Sequence, residues 1–428
     1  MTNSLRHILL RMAPSMYGPT ILYTLGQSAL MPLIPVLAVR MGASLGLSGL
    51  IASTMVIGQL VGNLPASWLV ARAGERIAML VAAGVALLGV LGVLFAPSLG
   101  VLAVAVFVVG FAAATFGLAR HSFMTTRVPF AFRARALALI GGSHRLGRFA
   151  GPFLAAGLVA ATGDPLSAVW AFAGCLVLTA LLVGFAPDPE RVVPLPAPSE
   201  AGSGVGSARP AAGQGGSGAG AAAAAARGSS GIIGAVRAHG SALWRVGGSA
   251  AILSGLRAVK DVLLPLWGVS IGLDPAGVAL VMGLSGTIDF ALFYLGGQIT
   301  DRFGRMWAAL PPTIAMALSF FALALTHDSP AAVPWLIASA VVIGIGNGLS
   351  SGIILTLGAD LAPREEPAPF LGAWRTLVDF GGAVIPLGVS AIAIASLPLA
   401  AGAVGLVAVL GAAGFARWIP RFLPTVAP

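Results

Sequence analysis

Three carboxylates and six cations of this 428-residue chain lie inside runs of apolar residues: Asp261, Asp289 and Asp379, with Arg120, Arg145, Arg148, Arg257, Lys260 and Arg375. His121 and His144 fall in the same runs, and Asp360 lies near the end of one. A charge in an apolar medium costs roughly 2.5–3.5 kcal/mol on insertion scales, so each needs a partner or a water-filled cavity. Helical spacing supplies candidates. Arg257 and Asp261, Arg375 and Asp379, and His144 and Arg148 are each four apart and share a helix face. The first two are also compatible with closed structural pairs, and Arg120 and His121 with side chains that only reach for headgroups. Asp289 has no partner on its own helix. A carboxylate left unpaired in lipid favours its neutral form and so can carry a proton. The cation surplus favours an anionic or carboxylate-bearing substrate, or a site closed by its own acids until they are protonated.

What must position these groups is a set of membrane-spanning helices. Hydrophobic residues make up 57% of the chain and charged residues 9%, where a soluble domain carries ~25% charged. The mean hydropathy is +0.96. Apolar runs long enough to span fall near 14–39, 47–70, 77–96, 100–125, 137–161 and 166–186, then near 249–272, 276–300, 307–326, 333–360, 369–394 and 397–416. This predicts an all-α membrane protein of twelve transmembrane helices in two six-helix bundles, 1–186 and 249–428. Between them lies a linker, 187–248; its part 187–231 is rich in Pro, Gly, Ala and Ser, and the stretch 199–231 has almost no large apolar residue, so disorder is expected over most of it. Short loops on one side hold Arg72, Arg76, Arg127, Arg133, Arg135, Arg302, Arg305 and Arg364, and those on the other hold only Arg40. That bias predicts a multi-pass protein of the cell membrane with both termini and the linker in the cytoplasm.

The halves repeat. Met31-Pro32-Leu33 matches Leu264-Pro265-Leu266, Arg72-Ala73-Gly74-Glu75-Arg76 matches Arg302-Phe303-Gly304-Arg305, and Arg145 matches Arg375, at offsets of 233, 230 and 230. Parallel duplication of this kind characterises one large transporter fold. Other classes drop out. The net charge of +10 is spread singly between apolar runs, which argues against nucleic acid. The lone cysteine, Cys175, excludes an intrachain disulfide. No Cys/His cluster suggests a metal. Gly348-Leu349-Ser350-Ser351-Gly352 has the spacing of a nucleophile elbow, but it lies in an apolar helical run without a His and acid beside it. A phosphate-binding loop ending in Gly-Lys is impossible, because the only lysine, Lys260, follows Val259. ATP is therefore not the energy source, and no enzyme activity is expected.

The run Gly297-Gln298-Ile299-Thr300-Asp301-Arg302-Phe303-Gly304-Arg305 resembles the signature loop of the major facilitator superfamily, Gly-x-x-x-Asp-Arg-x-Gly-Arg, and lies where that family has it, between helices 8 and 9. The resemblance implies that Gly297, Asp301, Arg302, Gly304 and Arg305 latch one conformation, with Asp301 near the N-terminus of a neighbouring helix. The first-half copy departs from the pattern at Ser67, Ala71 and Glu75. Gly147-Arg148-Phe149-Ala150-Gly151-Pro152 resembles the family's antiporter motif, and is equally compatible with plain small-residue packing. The family packs helix 5 against helix 8, which implies an Asp289 contact with Arg148 or Arg145, and it lines its cavity with helices 1, 4, 7 and 10. Tyr17, Tyr23, Gln27, Arg120, His121, Lys260 and Asn347 are the substrate candidates there; Asp289, Arg148, Arg145, Asp261, Arg257, Asp379 and Arg375 are the candidates for proton coupling and gating.

The resulting expectation is a monomeric secondary transporter working by alternating access. It is driven by the proton gradient with no bound cofactor, and exports small organic molecules. Proton- or ion-coupled uptake of an organic anion is the alternative. A non-transporting membrane sensor would need a folded soluble domain, and the linker offers none.

Overall fold

The computed structural model describes residues 16–126, 130–185, 234, 236–363 and 367–423, without the side chains of 124–126, 130–138, 367 and 368. Among the described residues every regular element is helical. Lipid offers backbone N–H and C=O groups no partner, and a helix satisfies them within one segment. The first half contains α1 (Gly18–Arg40), α2 (45–73), α3 (75–94), α4 (Leu99–Thr126), α5 (Phe130–Thr162) and α6 (Leu166–Phe185). The second contains α7 (236–270), α8 (Pro275–Phe303), α9 (Arg305–Thr326), α10 (Ala332–Leu361), α11 (Pro367–Ala393) and α12 (Leu397–Phe422). Among the described residues nine helices are long and apolar enough to cross a membrane, and one of them, Leu45–Leu94, is broken by Gly74 into α2 and α3. α5 and α7 have the length but carry more charge. Large apolar side chains point outward along the rods, among them Leu64, Leu88, Phe185 and Leu325. Lipid is the solvent that makes such a surface stable.

The duplication is written in the backbone. Gly74 and Gly304 both adopt an extended conformation with positive φ, 80° and 88°, and each separates two helices. At the opposite end Gly42 and Gly272 are left-handed, at 88° and 82°. Ser44 then caps α2 by accepting from the Leu47 N–H, as Asp274 caps α8 by accepting from the Gly277 N–H. Every one of these pairs is 230 residues apart. The turns at 41–44 and 271–274 mark the far end of the molecule; residues 185 and 236, which flank the linker, mark the linker end.

Three features differ from the sequence reading. α7 begins at 236 rather than 249, and a five-residue turn of π-helix, Leu243–Gly247, lies inside it. Arg237, His239 and Arg245 interrupt residues 236–248, with Gly and Ser between them, so no continuous apolar run announces the segment. The rest of the expected disordered linker, 187–233 and 235, lies outside the described residues, as do Arg127 and Arg364 of the short loops. α10 is interrupted at Ser350–Gly352, where Gly352 takes φ +85°. Finally, the match of Arg145 with Arg375 is one turn out of register. Gly147 lies against the Ile21 carbonyl of α1, as Gly381 lies against the Ala251 carbonyl of α7, and Pro152 answers to Pro386. The offset between α5 and α11 is therefore 234, and the counterpart of Arg145 is Asp379.

Within the first half α1 packs on α5 and α6, and α4 on α2 and α3; within the second α7 packs on α11 and α12, and α8 on α10. The halves meet along two seams, α5 against α8 and α2 against α11, and the far half of α1 leans on α7. The glycines of the antiporter-like motif serve the packing of α5 on α1: Gly147 meets Thr24 and Gly151 the Leu25 carbonyl.

Candidate functional site

Arg145 and Arg148 lie one turn apart near the middle of α5 and cross the seam to different acids. Arg148 donates to Asp261 Oδ2 of α7 at 2.8 Å, while Lys260 Nζ lies 3.3 Å from Asp261 Oδ1. Asp261 is 13% exposed and Lys260 4%, so one carboxylate, mostly shielded from water, is shared by cations from both bundles. The expected Arg257–Asp261 pair is not made. Both carboxylate oxygens are already occupied, and Arg257, one turn nearer the linker end, enters no ion pair among the described residues. It feels instead the fields of Asp289, Arg145, Arg148 and Asp261.

Arg145 reaches three groups of the second bundle. Its guanidinium stands 3.7 Å from Asp289 Oδ1, donates to Ser351 Oγ at 2.5 Å, and lies 4.2 Å from the centre of the Phe293 ring. Asp289 Oδ1 is buried with no hydrogen-bond donor, so its hold on Arg145 is ionic and loose. Phe149 stacks on Phe290 one turn further along, with ring centres 5.5 Å apart. Ser351 belongs to the interruption in α10, and nothing in the helical pattern of the sequence marks it or Phe293 as partners of Arg145. Arg375 and Asp379 pair along α11 at 2.9 Å on an open face, with Arg375 68% exposed.

On α4 Arg120 is 9% exposed and its Nε meets no acceptor, so it is buried within the bundle rather than extended to a headgroup. His121 is exposed beside it. His144 Nδ1 is buried without a partner, in the combined field of Arg120, Arg148, Arg145 and His121. Tyr23 does not line a cavity in this conformation: its ring stacks on Phe116 at 4.3 Å and meets Phe172 edge-on. Tyr17 and Asn347 are likewise buried, each with a polar atom lacking a partner, and the Gln27 amide faces Met55 Sδ at 3.8 Å.

In the signature loop Gly304 makes the turn, and Arg305 clasps Asp360 at the end of α10 through Nε at 2.7 Å and a second nitrogen at 3.4 Å. Asp301 and Arg302 are exposed, and Gly297 has open space beside it. Asp301 makes no hydrogen bond or ion pair among the described residues, and the segment just before α11 lies outside them. Among the described residues the clasp is that of Arg305 on Asp360. In the first-half copy Glu75 replaces Arg305: it is buried and accepts from Ser122 Oγ of α4 at 3.2 Å. Arg76 caps the end of α6 by donating to the Val183 and Gly184 carbonyls.

The second seam has another character. Ser53 of α2 and Ser390 of α11 lie 3.2 Å apart, Gly49 rests against Ser390 and Leu266, and Gly46 rests against Ile394. All of these sit in the far half. The α5/α8 contacts also start there, with Phe153 on Gly283, and nearer the linker end Arg145 reaches Phe293 of α8 and Ser351 of α10. A pair of bundles closed at one end, with charges shared across their middle, can exchange partners when a carboxylate gains or loses a proton.

A sequence model described as Major Facilitator Superfamily matches residues 20–386. Among solved structures the chain is similar to a POT family transporter in complex with a thioalcohol-conjugated peptide, at 13% identity over 98% of this chain and 97% of that one, with a TM-score of 0.73. It is similar to a D-xylose–proton symporter at 14% identity over 97% and 98%, with a TM-score of 0.69. It is also similar to a bacterial homolog of the human lysosomal transporter Spinster, in an inward-facing and unoccupied conformation, at 15% identity over 98% of both chains, with a TM-score of 0.64. At such identities the likeness is one of fold. No curated protein matches the chain.

Proposed function

The chain belongs to the major facilitator superfamily and is a multi-pass membrane transporter of the secondary type, and from that premise we propose that it exports small organic molecules in exchange for protons. The observation that carries the reading is the pair of mid-helix carboxylates, Asp261 and Asp289, each held by an arginine of the opposite bundle. A proton on either acid cancels its ion pair and lets the bundles part there; its loss draws them together. Proton binding is thereby linked to rocking of the halves, and substrate alternates between the two sides. The linker end faces the cytoplasm in this reading, all twelve rods cross the bilayer, and closure at the far end makes the described conformation inward-facing. The protein works as a monomer on the proton gradient alone.

Uptake of an organic anion is the second reading, favoured by Arg257 and Arg120, two cations of the helix interiors that enter no ion pair among the described residues. Purified protein in proteoliposomes with an imposed pH gradient, tested on a panel of organic anions and uncharged or cationic drugs, separates the two by the sign of flux. Asp289→Asn is expected to abolish proton-driven flux and to leave counterflow exchange. Driven flux surviving in that variant overturns the coupling role.

A further inference from the structure

A basic cluster remote from the seam is left without a role. At the linker end Arg245 of α7 and Arg417 and Arg421 of α12 place their guanidinium carbons 4.4, 5.2 and 5.1 Å from the centre of one indole ring, Trp418. Any two of these cations therefore lie within about 10 Å, no more than a Debye length. None has an acidic partner among the described residues; α12 contains no carboxylate, and the first one on α7 is Asp261, 16 residues beyond Arg245. Like charges gathered on one ring repel, and cation–π attraction of roughly 0.5–1 kcal/mol at an exposed site offsets only part of that. An anion between them would convert repulsion into attraction.

Two further features say what kind of anion. Arg245 sits in the π-helical turn Leu243–Gly247 of α7 and lies over Trp418 of α12; such turns recur at functional positions. Toward the far end, on the stripe of α12 that carries Arg417, lie Ala413, Leu410 and Leu406, all exposed, and Trp244 is exposed beside Arg245. The cluster is thus a set of cations above an apolar track, the arrangement in which indole rings and arginine forks meet phosphate. We propose that the surface where α7 meets α12 at the linker end binds the phosphate of one anionic phospholipid, with Arg245, Arg417 and Arg421 around the head group and an acyl chain along Leu410 and Leu406.

The test uses the purified full chain, delipidated in a neutral detergent and titrated with phosphatidylglycerol or phosphatidylcholine, with retained lipid counted by native mass spectrometry. The parent is expected to keep phosphatidylglycerol in preference to phosphatidylcholine. Arg245→Gln and Arg421→Gln are each expected to weaken retention by about fivefold, from the contribution of one basic residue near a membrane surface. Arg245→Lys, which keeps the charge and loses the planar fork, should fall between. Arg72→Gln serves as the control, because Arg72 lies singly over Trp68 at 5.3 Å; it should change nothing. Equal retention of the two lipids, or an equal loss in Arg72→Gln, would reduce the cluster to diffuse attraction and overturn the site. Displacement of the lipid by millimolar inorganic phosphate would overturn the lipid as its occupant. Arg421 lies exposed on the last turn of α12, so its variant remains informative where a change inside α7 disturbs folding.

Discussion

The two seams between the bundles occupy equivalent places in a duplicated scaffold and are built from opposite materials. On the α5/α8 seam Arg145 faces Asp289 across the interface. In the repeat these positions become Asp379 on α11 and Gln59 on α2. The cation has become an anion, the anion a neutral amide, and Asp379 turns back to Arg375 on its own helix. What holds α2 to α11 is small-residue contact, Gly46 and Gly49 on Ile394 and Ser390, with one serine pair. The same inversion occurs at the linker-end turns, where Glu75 stands in the place of Arg305. A scaffold that repeats its turns to the residue, yet exchanges its charges, assigns different work to its two interfaces. The charged seam can respond to protons, and the small-residue seam can keep the bundles in register while the other changes.

That contrast is broken most directly at Asp289 and Asp261. Should Asp289→Asn leave proton-driven flux intact, the charged seam has no claim to coupling. Asp261→Asn removes the one acid that pairs with Lys260 among the described residues, and Lys260 is 4% exposed, so its ammonium loses that counter-charge. Stripping one partner from a buried pair costs about 3–5 kcal/mol, and half-exposed Arg148 softens the loss by turning to water. A fall in melting temperature and a hundredfold or greater loss of transport are expected, read by thermal unfolding in detergent and by counterflow. Arg145→Gln comes next. It removes a charge-assisted hydrogen bond to Ser351 and the ionic contact with Asp289, together on the order of 2 kcal/mol. Spin labels at the linker ends of α5 and α8 should then report a wider separation, with transport reduced about tenfold; unchanged distances would mean that Arg145 does not tie the bundles.

How far the sequence foretells this depends on whether a feature is local. Gly74, Gly304 and the caps Ser44 and Asp274 determine their turns by backbone chemistry, and the repeat among them is legible in the letters alone. The approach of α5 to Asp289 follows from the family resemblance and from counting turns. The partner of Asp261 does not follow, because spacing of four residues sees only the helix on which it is counted, and Arg148 arrives from the other bundle. The match of Arg145 with Arg375 fails for a related reason. A slip of one turn keeps a side chain on nearly the same helix face and changes only its height, so charge identity alone cannot detect it. Pro152 and Pro386, at an offset of 234, carry the correct register in the sequence, and the contacts of Gly147 and Gly381 give it meaning.

The smaller predictions concern the quiet seam. Asp379→Asn breaks a pair along α11 whose arginine is mostly exposed, and such pairs contribute about 0.3–0.5 kcal/mol. Driven flux within about twofold of the parent is expected, and a loss like that of Asp289→Asn would make the two seams equals. The smallest effect belongs to Ser53→Ala combined with Ser390→Ala. Each hydroxyl already donates within its own helix, Ser53 to the Gly49 carbonyl and Ser390 to the Pro386 carbonyl, both at 2.9 Å. The 3.2 Å contact between them therefore competes with bonds that both serines can make alone. Removing both partners leaves no hydroxyl stranded, which is the nearly neutral way to delete a hydrogen bond. The seam would then rest on close packing such as that of Gly49 and Gly46, and melting temperature and transport close to those of the parent would establish that shape, rather than polarity, holds α2 against α11.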